Sequence, residues 1–180
     1  MSIISPPPPT PLPPTINVAD FANWLVTFVG IPAAALPPDP ADNQYVIAAF
    51  WASYANVNQK IFCANPWEYR RALYNLGMDQ LCNFAVDPNP LPPGYPMSSI
   101  TGPDGQPLPY WAGLQQQFNV NGFVPGVVIA TSDESTSESL SQLKAYENFT
   151  LADLQNLKTP WGRTYMAIAQ AVGTAPWGIS

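Results

Sequence analysis

Residues 65–84, NPWEYRRALYNLGMDQLCNF, decide how the chain is read. Tyr69, Leu73, Leu76, Leu81 and Phe84 recur at helical spacing and fall on one broad face of a long helix. Asn65 supplies an acceptor for the unpaired N–H groups of the first turn. Pro66 presets the first helical φ, and Glu68 faces the positive end of the helix dipole. Gly77 interrupts the helix at a cost of about 1 kcal/mol relative to alanine. The helix is expected to end before Asp87-Pro88.

Toward the N-terminus, a second helix is expected from Asp39-Pro40-Ala41-Asp42. It is apolar nearly all round from Tyr45 to Ala55, the pattern of a central helix in a bundle. Val18, Phe21, Leu25 and Phe28, with Trp24 beside them, mark a first helix that Gly30 and Pro32 stop. Trp24 and Trp51 are expected in the core. Residues 6–14 hold seven of the chain's 23 prolines. They read as a polyproline II arm that reaches about 30 Å over ten residues. Such an arm either lies on another subunit or partner, or is a solvated tail.

Toward the C-terminus, residues 88–123 interleave prolines and glycines with Tyr95, Tyr110, Trp111 and Phe118, and periodicity disappears. This is expected to be a long loop whose aromatics pack on something, an adjacent copy included. Val127-Val128-Ile129 and the polar TSDESTSES that follows predict a short β-hairpin within 124–141, the serine run being alternatively a linker or a modification site. Phe149 and Leu154 flank a capped helix start at Thr150 as a hydrophobic staple. The last helix opens at TPWGRTY, 159–165. Thr159 caps it, Pro160 fixes its first turn, and Trp161, Tyr165, Ile168 and Val172 form one apolar stripe. Gly162 leaves room for a close neighbour, and Arg163 projects away from the stripe. The whole is expected to be mainly α: a small bundle of four to five helices with a short β-hairpin. An extended arm at 1–15, one domain over 16–172 and a tail at 173–180 complete it.

Composition narrows the function. Charged residues make up 10 % of the chain and the net charge is −6, with six Lys and Arg in all. Clustered positive charge for phosphate backbones is missing, so sequence-specific nucleic-acid binding is not expected. Histidine is absent, which removes the commonest general base and metal ligand. Cys63 and Cys82 form no zinc-type pair and read as buried free thiols. The N-terminus has neither a basic nor an apolar region of a signal peptide, and the run Tyr45–Ala52 is too short to span a bilayer. A soluble, non-exported protein is expected, so the acceptor pattern at Asn148 is read as chance.

Catalysis finds no footing. Asp133, Glu134 and Glu138 sit in a Ser-rich turn with no apolar wall to raise a carboxyl pKa. There is no phosphate-cradling glycine loop, no nucleophile elbow, and no histidine to activate either cysteine. No enzyme activity, cofactor or metal is expected. What remains is contact surface, for which aromatic side chains are the usual anchors. The candidate interface residues are Trp161, Arg163, Tyr165, Trp177, Tyr110 and Trp111.

The order of three features resembles the head-to-tail connector, or neck adaptor, family of tailed bacteriophages. The first is the helix from Asp20-Phe21 to Phe28, then Ile31-Pro32 and AAFWASYANV. The second is GVVIATSDESTSESLS, and the third is TPWGRTY. The match covers roughly residues 17–87 and 124–172, leaving the arm and the 88–123 insert outside it. The resemblance implies a helical protomer of a dodecameric ring below the portal, made in the host cytoplasm and carried in the virion neck. The ring would extend the DNA channel without sequence-specific contact, and would dock tail or stopper proteins. The family's C-terminal segment packs against the portal, which would give Trp161 to Ser180 a contact role. The competing readings are a tail-completion or other neck or tail ring protein, and a monomeric Pro-rich interaction module.

Overall fold

A computed structural model describes residues 16–60, 62, 65–122, 130–133, 136–139 and 156–173. The described chain is mainly helical, with two short antiparallel strand pairs. The expected arm at 1–15, the tail at 173–180 apart from Gly173, Cys63 and the capped start at Thr150 lie outside the described residues.

The helices are α1 (Val18–Trp24), α2 (Gln44–Asn56), α3 (Pro66–Phe84), α4 (Tyr110–Gln117) and α5 (Pro160–Gly173). One device starts most of them: a side-chain acceptor meets the free N–H groups of the first turn. Asn17 Oδ1 accepts from Asp20 N at 2.8 Å, Asn43 Oδ1 from Tyr45 N at 2.9 Å and Val46 N at 3.2 Å, and Asn65 Oδ1 from Glu68 N at 3.3 Å. Thr159 Oγ1 accepts from Gly162 N at 3.0 Å. The start of α2 differs from expectation. Asp39 Oδ1 accepts from Ala41 N at 2.9 Å and closes a separate turn, so Asn43 becomes the cap.

The central helix is α3, not α2. Every residue from Ala72 to Asp79 is buried, because α3 meets α2 on one flank, α5 on another, α4 near its end, and Phe21 of α1 across Tyr74. In contrast α2 buries Val46, Ala49, Phe50 and Ser53 and turns Trp51 outward at 56 % exposure. Successive helical residues point about 100° apart, so Phe50 and Trp51 cannot both face the core. The expectation of a core Trp51 is therefore corrected, while Trp24 packs on the core against Phe21 and Tyr74.

Phe28 is a second correction. After Trp24 the helix continues as a π turn, Leu25–Val29, ended by Gly30 in the left-handed region (φ 82°). The wider turn breaks the 3.6-residue register. Leu25 stays buried, and Phe28 is turned out to 73 % exposure.

Residues 88–122 are not a structureless loop. β1 (Met97–Thr101) pairs antiparallel with β2 (Pro107–Pro109), and β2 runs directly into α4. Prolines cannot donate to a ladder, and a two-stranded edge pair tolerates them. α4 packs so closely on β1 that a Cβ added at Gly113 would sit 2.0 Å from Ser98 Oγ. Within 124–141, β3 (Ala130–Asp133) pairs antiparallel with β4 (Thr136–Ser139).

Candidate functional site

Three buried or half-buried carboxylates organise the polar interior, each serving a junction between elements. Asp87 follows α3 and receives Tyr95 Oη at 2.7 Å, Trp111 N at 2.9 Å and Ala112 N at 2.8 Å. It thus caps α4 from outside that helix, where an anion suits the free N–H groups. Burial and the Asp87 carboxylate push the Tyr95 phenol up. Trp111 Nε1 donates to Ala35 O at 3.0 Å, and Gln115 Nε2 to Ala85 O at 2.8 Å. A cleft of about 490 Å³ lies beside this junction, lined by Pro37, Pro38, Asn43, Tyr45 and Asp87 among others. The polar atoms of Asn43 and Asp87 are already engaged: Asn43 with Pro37 O and its cap, Asp87 with α4.

Asp20 on α1 joins α3. Its Oδ2 receives Arg70 Nε at 2.9 Å and Tyr74 Oη at 2.5 Å, and the Arg70 guanidinium stacks on the Tyr74 ring. Burial and this carboxylate hold the Tyr74 phenol well above its ordinary value.

Asp79 on α3 joins α5 and is fully buried. Its Oδ1 receives Thr159 Oγ1 at 2.5 Å, and Asn83 Nδ2 lies 3.3 Å from Oδ2. Burial raises its carboxyl to about 6, against the opposing pull of the Thr159 bond, the nearby Lys158 charge and Asn83. The neighbouring Cys82, a free buried thiol, is pushed up by burial and then by Asp79. Thr159 thus caps α5 and anchors it to α3 through one hydroxyl. Gly162 is required beside this bond: a Cβ there would lie 1.9 Å from Asn156 O and 2.6 Å from Asp79 Oδ1.

The interface residues expected from sequence separate under this geometry. Trp111 is 1 % exposed and belongs to the core, so it is not presented to a partner. The pull of Asp87 on the start of α4 and the Ala35 bond explain why. Tyr110 is half-buried against the core and edge-on to Trp111, and its phenol is raised to about 12 by burial. Trp161 is half-buried, edge-on to Phe118. Tyr165 is half-buried against the core. Arg163 is exposed, but its guanidinium donates to Leu157 O at 3.0 Å and braces the turn before α5. Trp177 lies outside the described residues.

The exposed aromatics are elsewhere. Trp51 and Tyr54 lie edge to face on the outer side of α2 with ring centroids 5.6 Å apart, and Trp67 at the start of α3 is also exposed. Sequence reasoning missed this face. The signal was there in three aromatics at 50, 51 and 54, too many for one buried stripe. Among the described residues no group of acidic or cysteine side chains could hold a metal ion, and no helix is long and apolar enough to cross a membrane. No family model matches the chain, and comparisons with curated proteins and with solved structures give no match.

Proposed function

We propose that this protein is a structural virion component, a head-to-tail adaptor that forms a ring below the portal, extends the DNA channel and docks tail or stopper proteins. The observation that carries an assembly role is the exposed aromatic face of Trp51 and Tyr54 on a chain that spends few charges. Well-buried aromatic contacts anchor protein interfaces, and isolated surfaces seldom display paired large rings without a partner. The assignment to the neck rests on the order of motifs ending in TPWGRTY. The finer architecture, a helical bundle with an extended arm and a C-terminal tail, belongs to this proposal. The segment assigned to the portal runs from Trp161, at the start of α5, to Ser180 and includes Trp177.

Co-sedimentation of the purified chain with the portal protein, followed by electron-microscopic class averages, tests the reading. The expected result is a ring stacked on the portal ring. Absence of association, together with virions that keep their DNA and join tails without this protein, would sink it.

A further inference from the structure

We infer that Asn121-Gly122, in the exposed turn that closes α4, is a site of covalent self-modification, where the Asn121 amide leaves as ammonia and a carboxylate takes its place. The change needs no enzyme and no partner, and it proceeds in a single chain.

The chemistry asks for an asparagine whose Cγ can be reached by the backbone nitrogen of the next residue. Asn121 is the only asparagine of the chain that precedes a glycine. Glycine has no Cβ to crowd the ring closure, and its backbone turns freely. Asn65 and Asn89 precede prolines, which have no N–H to give up.

The fold narrows the choice further. Oδ1 of Asn17, Asn43 and Asn65 holds helix caps, and Nδ2 of Asn56, Asn75 and Asn83 donates to a carbonyl of the preceding turn. At the end of α4, Phe118 N and Val120 N donate back to Leu114 O and Gln115 O, and Val120 is buried. The chain then steps out at Asn121 and Gly122, both exposed. Among the described residues no hydrogen bond holds the Asn121 side chain, and Gly122 N donates to Asn119 O at 3.2 Å. The comparable Asp104-Gly105 turn is tied at both residues: Asp104 Oδ1 accepts from Gln106 N at 3.3 Å, and Gly105 N donates to Gly102 O at 3.0 Å.

Water is the only co-reactant. Gly122 N gives its proton to water and attacks Asn121 Cγ; the Cγ–Nδ2 bond breaks, ammonia leaves, and a cyclic imide closes. Water then opens the imide at Cγ, giving an aspartate, or at the main-chain carbonyl carbon, giving an isoaspartate whose backbone runs through the former side chain. Nothing is oxidised or reduced. Either product is ionised at neutral pH. It puts a negative charge close along the chain to Phe118, whose ring meets Trp161 edge-on at the start of α5.

Mass-spectrometric peptide mapping of the full chain over time at neutral pH tests this, with isoaspartate counted by enzymatic carboxyl methylation. The comparisons are Asn121→Gln, whose longer side chain disfavours ring closure, and the unaltered chain unfolded in urea. In the folded chain an acidic form should accumulate, its early conversion confined to the peptide that contains Asn121 and including isoaspartate. Asn121→Gln should lose that form at an unchanged circular-dichroism spectrum. Another asparagine converting first would overturn the inference, as would a folded chain that stays unconverted. Conversion in urea alone would show that the Gly122–Asn119 bond closes the site, and would overturn it too.

Discussion

Asp79 makes the stability of this protein depend on pH. Its folded-state carboxyl, at about 6, lies above the ordinary value of 3.8. The folded state therefore binds the proton more tightly than the unfolded chain. Stability from this group is greatest below about pH 4 and falls as pH rises toward 6, by up to about 3 kcal/mol. Asp79→Asn should flatten that part of a urea-midpoint-versus-pH curve; an unchanged slope would mean that another group sets it. Thr159→Ala removes both the cap and the donor to Asp79, and should cost about 2–3 kcal/mol by chemical denaturation. Two glycines make a sharper pair. Gly77→Ala gains helix propensity but places a Cβ 2.8 Å from Phe21 Cζ, the tip of a packed ring, for a net loss of about 1–2 kcal/mol. Gly162→Ala meets backbone at 1.9 Å and should cost about 3 kcal/mol or more. Equal losses would show that α5 shifts easily on α3.

At the scale of elements, the region 88–122 turns on one acceptor. Asp87→Ala leaves Tyr95 and two α4 amides without it, at an expected cost of about 2–4 kcal/mol and a red-shifted Trp111 emission. Retained Trp111 emission would mean that β1 and β2 hold α4 alone. This region also shows where sequence reading reaches its limit. The caps at Asn65 and Thr159 were legible because they are local. The contacts of Trp111 with Ala35 and Asp87 span 76 and 24 residues, and no local pattern announces them. The π turn at Leu25–Val29 was hidden too, because the 3.6-residue period that picks out Phe28 presumes a regular helix. Of the candidate interface, the role of Thr159 as a cap and the crowding at Gly162 could be read from TPWG. That Asp79 receives Thr159 could not, since the two are 80 residues apart.

For the whole molecule, a charge-poor chain with an exposed aromatic face should associate by apolar burial rather than by ion pairs. Assembly measured by sedimentation should then change little between about 0.05 and 0.5 M salt, across which exposed charge pairs are progressively screened. A steep loss of assembly over that range would place the interface on the acidic surface instead. The buried run Ala72–Asp79 has a consequence of a different kind. Its amides are walled in by helices on every flank, so hydrogen exchange there requires the whole molecule to open. The deuterium clock of α3 therefore reads global stability, while α5, packed along one flank of α3 and tied to it through Asp79 and Thr159, should run faster. The difference between the two clocks measures how readily the C-terminal helix detaches while the rest stays folded.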